Sequence, residues 1–141
     1  MDFTYPVKIE AKKDQFIIRF KDLPYVIQKE TPDLAITVAK ATLEKHIEAC
    51  MAENQALPEP SPATDGDFLL SLDAHVAAKA ALYVAFREAG YSKSALAREM
   101  NVDNKEVRRM LSFESPTKLP RIIEALNILG YKLSVSLEPA A

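Results

Sequence analysis

Four polar residues have the types and spacing best suited to chemistry with a nucleic acid: Asn104, Lys105, Arg108 and Arg109. Asn104 and Arg108 lie four positions apart, as do Lys105 and Arg109. Residues at this spacing lie one above the other on a helix, so a helix would present all of them on one face. Asn can pair with adenine and Arg with guanine in the major groove, while basic side chains also contact phosphate. The spacing therefore predicts a helix that contacts DNA.

The residues before this helix have the pattern of a helix-turn-helix. Ser92 is a good N-cap for a first short helix, and Ser92 and Lys93 at its start are also predicted to lie at the DNA. Asn101 suits a left-handed turn, which glycine and then asparagine tolerate best. Asp103, with Glu106 three residues later, predicts the start of the second helix. A small helical bundle with a solvated basic face is the alternative. A small residue, a turn residue and two apolar plugs occurring together favour the DNA-binding interpretation: Ala97, Asn101, Val102 and Val107.

Two further elements are predicted after the helix-turn-helix. Thr117 is expected to cap a helix that has Pro120 in its first turn and stops at Gly130. Apolar residues then alternate with polar ones and predict a strand without a partner in its own domain. Such an edge commonly pairs with a copy of itself, so the strand is predicted to form a homodimer. Its apolar residues are Leu133, Val135 and Leu137.

The N-terminal half predicts a sheet and one long helix. Apolar residues alternate with polar ones over residues 3–9 and 16–20, and residues 25–27 form a third apolar run, a pattern typical of an antiparallel meander. Thr31, Pro32 and Asp33 open a helix that continues to about Asn54. Three prolines between residues 57 and 66 predict a stiff, extended connector, and residues 68–72 then return as a fourth strand. The apolar helix face comprises Ile36, Ala39, Leu43, Ile47 and Cys50.

The composition fits one or two small domains, and the charge of the two ends of the chain favours different partners. The 141 residues are 48% hydrophobic and 27% charged, enough for a real core. Residues 1–66 carry eight Lys/Arg against eleven Asp/Glu, a balance of −3, whereas residues 91–130 carry seven against five, +2. We expect an α+β fold, with a βββαβ domain over residues 1–72 and an all-α helix-turn-helix domain with the dimerising strand over residues 73–141. A single cysteine, and the lack of a signal peptide or an apolar run that could span a membrane, indicate a cytoplasmic protein.

Catalysis and metal binding are the rival chemistries. Asp14, Asp22 and Glu48 are candidate metal-binding carboxylates, but the first two lie in predicted turns, where solvated carboxylates are ordinary. His46 and Cys50 are four apart on a helix, yet no third ligand follows at a recognisable spacing. We therefore expect no enzymatic activity, no bound metal and no cofactor.

The order of these motifs resembles the HicB family of bacterial antitoxins, in the variant with a helix-turn-helix tail. The similarity rests on a Tyr-Pro-Val-Lys-Ile opening strand, an Asp-Leu-Pro turn at residues 22–24, a long helix, a Leu-Pro-Glu-Pro-Ser exit at residues 57–61 and then the helix-turn-helix. It covers nearly the whole chain. The chain departs from the family at residues 29–35, Lys-Glu-Thr-Pro-Asp-Leu-Ala, where the family usually has a glycine and threonine and then a Glu-Ala pair.

The resemblance implies a partly degenerate RNase H-like N-terminal domain that covers the active site of a toxin, the small basic ribonuclease HicA. It also implies that the C-terminal domain dimerises, with higher oligomers in the presence of toxin, and binds the operator of the toxin-antitoxin operon. An acidic domain suits a basic toxin, and the carboxylates expected at that interface are Asp14, Asp22 and Glu30. The alternative is a dimeric transcriptional regulator whose N-terminal domain senses a small ligand.

Overall fold

The structure, a computed structural model, describes residues 1–139 of the chain. Their contacts divide into two compact units, the first comprising residues 1–77 and the second beginning at Ala78. The architecture is α+β, with all strands in the first unit and all short helices in the second.

A four-stranded antiparallel sheet forms the first unit. Strands β1 (Thr4–Lys12), β2 (Gln15–Phe20) and β3 (Val26–Lys29) form the predicted meander, and β4 (Phe68–Ser71) returns to pair with β1, giving the order β3-β2-β1-β4. The predicted fourth strand is therefore formed, and the structure places it in this sheet, a point that the sequence alone leaves open. Its enclosed face carries a fully buried row of apolar side chains because alternate residues of each strand point to the same side. Tyr5, Val7, Ile18 and Leu70 are members of that row.

Helix α1 (Pro32–Ala52) packs on β2 and β3. It begins where the sequence predicts, because the Thr31 hydroxyl accepts a hydrogen bond from the Leu34 N–H at 3.1 Å. The buried stripe is shifted slightly from the predicted one, since Ile36 and Cys50 are only half-buried. The residues that α1 buries are Ala35, Ala39, Leu43, Ile47 and Met51.

The proline-rich segment between residues 57 and 66 has no helix or strand, but it is fixed to the first unit rather than serving as a free connector. The buried Tyr5 hydroxyl donates to the Pro58 carbonyl at 2.7 Å. Asp22 accepts hydrogen bonds from both the N–H and the hydroxyl of Ser61. The sequence could not show these contacts because each partner comes from a distant strand or turn.

The second unit is helical. It contains most of α2 (Ala74–Ala89), followed by α3 (Lys93–Met100), α4 (Asn104–Met110) and α5 (Leu119–Ile128). Gly90 and Gly130 follow α2 and α5 with φ of 69° and 91°, the left-handed conformation that ends helices. Side chains from all four helices form one apolar core, whose most enclosed members are Leu82, Leu96, Val107, Met110, Ile122 and Ala125.

Two predictions for the end of the chain are wrong for the single chain. The N-cap of α5 is Lys118, which makes no side-chain capping bond, and not Thr117. With Thr117 as cap, Pro120 would occupy the third helical position and have no N–H to donate. The strand predicted at Leu133, Val135 and Leu137 is not formed, since residues 131–139 contain none. A strand needs a neighbour for its backbone groups, and the described part of this chain supplies none.

Candidate nucleic-acid interface and the carboxylates of the sheet

The turn between α3 and α4 is built by local capping. The Ser92 hydroxyl accepts from the Ala95 N–H at 3.0 Å at the start of α3. Asn101 ends α3 with φ 57° and ψ 45°, so the predicted left-handed turn residue is confirmed. The Asp103 carboxylate accepts from the Glu106 N–H at 2.9 Å and starts α4. Only three residues therefore separate the two helices.

Three cationic side chains lie on the exposed side of α4. Lys105, Arg108 and Arg109 are exposed, whereas Val107 and Met110 are completely buried on the opposite side. Each residue advances by about 100° around a helix, which places the three cations within about 100° of one another. This arrangement leaves the cations accessible to an anionic partner.

The cations of α4 are held only weakly by the chain itself. Arg109 has an ion pair with Glu106 at 3.8 Å, with the two side chains 59% and 34% exposed. Such a pair contributes little in water and can be exchanged for another anion. Within residues 1–139, Lys105 and Arg108 have no hydrogen bond or ion pair from their side chains.

Besides Arg109 with its weak ion pair, two of the six predicted DNA-binding side chains are engaged in hydrogen bonds inside the chain. Ser92 is occupied as the cap of α3, and the Asn104 amide donates to the Ser94 hydroxyl at 3.0 Å, joining α4 to α3. Lys93 is exposed beside Ser92. The structure thus brings the six residues to one pair of helices, and it leaves Lys93 and the three α4 cations as the side chains oriented to solvent.

Lys79 of α2 is a residue of this unit that the sequence analysis missed. It is 6% exposed, and its ammonium donates to the carbonyl of Arg109 at 3.0 Å and to the carbonyls of Ser112 and Ser115. Burial lowers the pKa of its ammonium group. The available signal was a lysine within the otherwise apolar run from Ala77 to Val84, because apolar residues on all sides of it in the sequence indicate a helix segment that is mostly buried.

Asp14 and Glu30 lie at one end of the sheet. Asp14 is in the turn between β1 and β2, after the left-handed Lys13, and Glu30 directly follows β3. The register Phe16 to Lys29 places the beginning of β2 beside the end of β3, so both exposed carboxylates share that end. Lys13 directly precedes Asp14 and Lys29 directly precedes Glu30, so this end is mixed in charge rather than acidic.

Asp22 is separated from the other two carboxylates and has a structural role. It follows β2 at the opposite end of the sheet, where its two oxygens accept from the Ser61 N–H at 3.0 Å and from the Ser61 hydroxyl. Removing its charge would therefore disturb the proline-rich segment as well as the binding of any partner at this position.

Asp67, directly before β4, is the buried carboxylate of the first unit and was also missed from the sequence. Its side chain is 0% exposed and lies 2.7 Å from the Lys8 ammonium and 2.5 Å from that of Lys21. The Thr64 N–H donates to it at 2.7 Å. Hydrogen bonds from Lys21 and then Lys8 hold the pKa of the Asp67 carboxyl well below its usual range.

The candidate metal ligands do not form a site within the described residues. The His46 ring nitrogen Nδ1 is 3.0 Å from the Tyr25 hydroxyl, in an edge-on ring contact. Across residues 1–139 no group of three or more His, Cys, Asp or Glu side chains is placed to hold a metal ion. None of the helices in that range has the length and apolar character needed to cross a membrane.

A comparison with known protein families finds a match that covers the first unit. The model of the HicB-like antitoxins of bacterial toxin-antitoxin systems matches residues 4–81, which include the whole sheet, α1 and the beginning of α2. This is more than half of the chain. The chain therefore belongs to the HicB-like antitoxin family.

Individual relatives extend the similarity through the second unit. Antitoxin HicB 2 of Photorhabdus laumondii is 29% identical over 135 residues, covering 95% of this chain and 96% of the relative. Antitoxin HicB of Escherichia coli K12 is 29% identical over 133 residues, covering 93% and 96%. Antitoxin HicB of Pseudomonas fluorescens is 25% identical over 140 residues, covering 98% and 96%.

Proposed function

We propose that this chain is an antitoxin that binds and neutralises a HicA-like, mRNA-cleaving toxin through residues 1–72, and that it represses its own operon through a helix-turn-helix within residues 73–141. The observation that carries the proposal is the family match over residues 4–81, which coincides with the sheet-and-helix unit. In this proposal the chain is not an enzyme and needs no cofactor.

Toxin neutralisation requires only that the first unit, with its proposed RNase H-like fold, covers the toxin's active site. The balance of −3 over residues 1–66 favours association with a basic ribonuclease. Asp14 and Glu30 are the exposed carboxylates we assign to that encounter, and charged groups at the rim of an interface act mainly on the association rate. Asp22 takes part through the segment it fixes at Ser61.

Operator binding is assigned to α3 and α4 as a helix-turn-helix with α4 as the recognition helix. Lys105, Arg108 and Arg109 are exposed on one side of α4, and the hydrogen bond from Asn104 to Ser94 places the polar start of α3 beside the start of α4. A recognition helix uses such side chains for base edges in the major groove and for phosphates. Asn104 would have to exchange its bond with Ser94 for one with a base.

Dimerisation is assigned to the C-terminal segment. Val135 and Leu137 are 86% and 100% exposed, and Leu133 is half-buried, which is a costly arrangement for apolar side chains unless a second chain covers them. Pairing with the same segment of a second chain would satisfy their backbone groups and place two helix-turn-helix modules on two half-sites. We expect a chain ending at Gly130 to sediment as a monomer and to bind operator much more weakly. A truncated chain that remains dimeric would rule out this segment as the interface.

The decisive experiment separates the two functions in the full chain. Arg108→Ala/Arg109→Ala should lose roughly 1 to 3 kcal/mol of operator binding for each base contact removed, while binding of the neighbouring gene's product, measured by calorimetry, stays unchanged. Lys118→Ala/Arg121→Ala removes two cations from the exposed start of α5 and is the matched control.

Each result has a defined consequence for the proposal. Wild-type protein that binds operator but not the neighbouring gene's product would overturn the antitoxin assignment and support the ligand-sensing regulator. Equal operator affinity of the wild type and the Arg108→Ala/Arg109→Ala variant would remove α4 as the DNA-reading element.

A further inference from the structure

Lys79 is a buried cation whose three N–H donors are all used by the backbone. It lies on α2 with 6% of its surface exposed, and it donates to the carbonyls of Arg109, Ser112 and Ser115. No carboxylate of residues 1–139 forms an ion pair with it. Partial charges on carbonyl oxygens therefore stabilise the ammonium group in place of a counter-ion.

The three carbonyls belong to the end of α4 and to the segment that follows it. Arg109 is in the last turn of α4, and Ser112 and Ser115 lie in the irregular stretch before α5. A helix of seven residues has little stability of its own, so its position depends on such tertiary contacts. Val107 and Met110 fix one side of α4 in the core, and Lys79 fixes its C-terminal end.

We propose that Lys79 is a positioning residue for operator recognition, which sets the place of Arg108 and Arg109 over the base edges without touching DNA itself. The inference rests on the proposed DNA-binding function. Hydrogen bonds to bases need donor-to-acceptor distances of about 2.7 to 3.2 Å, whereas attraction to phosphate falls off gradually over the Debye length of about 8 Å. A displaced α4 would therefore lose discrimination between sequences before it lost general affinity for DNA.

Direct contact between Lys79 and phosphate is not compatible with its burial. Its ammonium already has three acceptors, and an inserted phosphate would have to displace the carbonyls at the end of α4 and in the segment that follows it. A role in stability alone is the remaining alternative. It predicts that specific and non-specific DNA binding fall together as the unit unfolds, and this difference separates the two explanations.

The test compares full-length Lys79→Met, Lys79→Arg and Lys118→Met for binding to operator and to a scrambled duplex of the same length at one salt concentration. Lys118 is exposed and supplies the matched loss of one charge. We expect Lys79→Met to reduce the ratio of specific to non-specific affinity by about tenfold, with non-specific affinity changed less than about twofold. Lys79→Arg keeps the charge and the donors and should recover most of the ratio. Lys118→Met should leave the ratio unchanged.

The outcomes distinguish this inference from the function on which it rests. If wild-type protein does not prefer operator over the scrambled duplex, the proposed DNA-binding function falls and the role of Lys79 falls with it. If the wild type discriminates and a folded Lys79→Met chain does so equally well, only the role of Lys79 is overturned. Failure of a folded Lys79→Arg chain to exceed Lys79→Met would overturn it as well.

A second measurement covers the case in which Lys79→Met does not fold. Lys79→Gln retains two N–H donors on a shorter side chain, and hydrogen exchange of the amides from residues 109 to 115 can be followed in the full chain. Faster exchange confined to those residues, together with a reduced affinity ratio, supports the inference. Unchanged exchange there contradicts it.

Discussion

Asp67 in the first unit and Lys79 in the second each have an enclosed charged group, and the two groups are stabilised in opposite ways. Asp67 of the first unit is held by full charges, the ammonium groups of Lys8 and Lys21. Lys79 of the second unit is held by neutral carbonyls alone. Each charged group fixes a segment that has no helix or strand. Asp67 fixes residues 53–67, and Lys79 fixes residues 111–118. An irregular segment can therefore be fixed either by ion pairs or by backbone dipoles, and the two kinds of contact respond differently to pH and to charge reversal.

Charge reversal should reduce stability most at Lys79, because within the described residues only carbonyl oxygens contact its ammonium group. Lys79→Glu would place a carboxylate against three carbonyl oxygens, and we expect a loss of about 3 to 5 kcal/mol in the free energy of unfolding. The measurement is urea unfolding followed by circular dichroism. Lys118→Glu, at an exposed position, should change stability by less than about 0.5 kcal/mol. Equal stability of the two variants would show that the carbonyl contacts of Lys79 do not hold the segment.

Acid should weaken the first unit through Asp67. Its folded-state pKa is lowered, so its stabilising contribution is present above the unfolded pKa of about 3.9 and is lost as pH falls from there toward the folded value. Asp67→Asn should therefore be less stable than the wild type at pH 7, and the difference should shrink as pH falls below about 4. Urea midpoints measured across this range test the expectation. A difference that stays constant down to pH 3 would contradict it.

Substitution of the exposed carboxylates should give the smallest effects. These effects should fall on the rate of toxin association rather than on the stability of the fold. Asp14→Asn/Glu30→Gln should change the free energy of unfolding by less than about 0.5 kcal/mol. Toxin association should slow by less than about tenfold at low salt, and the effect should disappear near 1 M ionic strength, where the Debye length is about 3 Å. Rapid-mixing kinetics provide the measurement. If Glu48→Gln/Glu59→Gln slows association equally, overall charge matters and not the end of the sheet that carries Asp14 and Glu30.

The elements that the sequence predicts well are those fixed by contacts between near neighbours. Ser92 with Ala95 and Asp103 with Glu106 cap α3 and α4 across three residues, and Asn101 carries its own signal for the left-handed turn. Alternation likewise predicts β1 and β2, because one face of the sheet is buried.

The contacts that the sequence did not predict are separated by long stretches of chain. Lys79 and Ser115 are 36 positions apart, Lys21 and Asp67 are 46 apart, and Tyr5 and Pro58 are 53 apart. A lysine or aspartate has the same local pattern whether it faces solvent or a distant carbonyl. The partners become visible only when the fold brings them together, and the bond between Asp22 and Ser61, 39 positions apart, is another example.

The proline-rich segment has a consequence for limited digestion of the protein. It is fixed at Pro58 by Tyr5, at Ser61 by Asp22 and at Thr64 by Lys21. A protease must draw an extended stretch of backbone into its cleft, and these bonds hold that stretch on the sheet. Residues 132–139 are mostly exposed and have no strand partner within the described chain. Proteolysis of the monomer should therefore first remove the C-terminal residues and leave a fragment ending near Gly130, rather than cut the chain into halves at its prolines, whereas pairing in the proposed dimer should protect those residues.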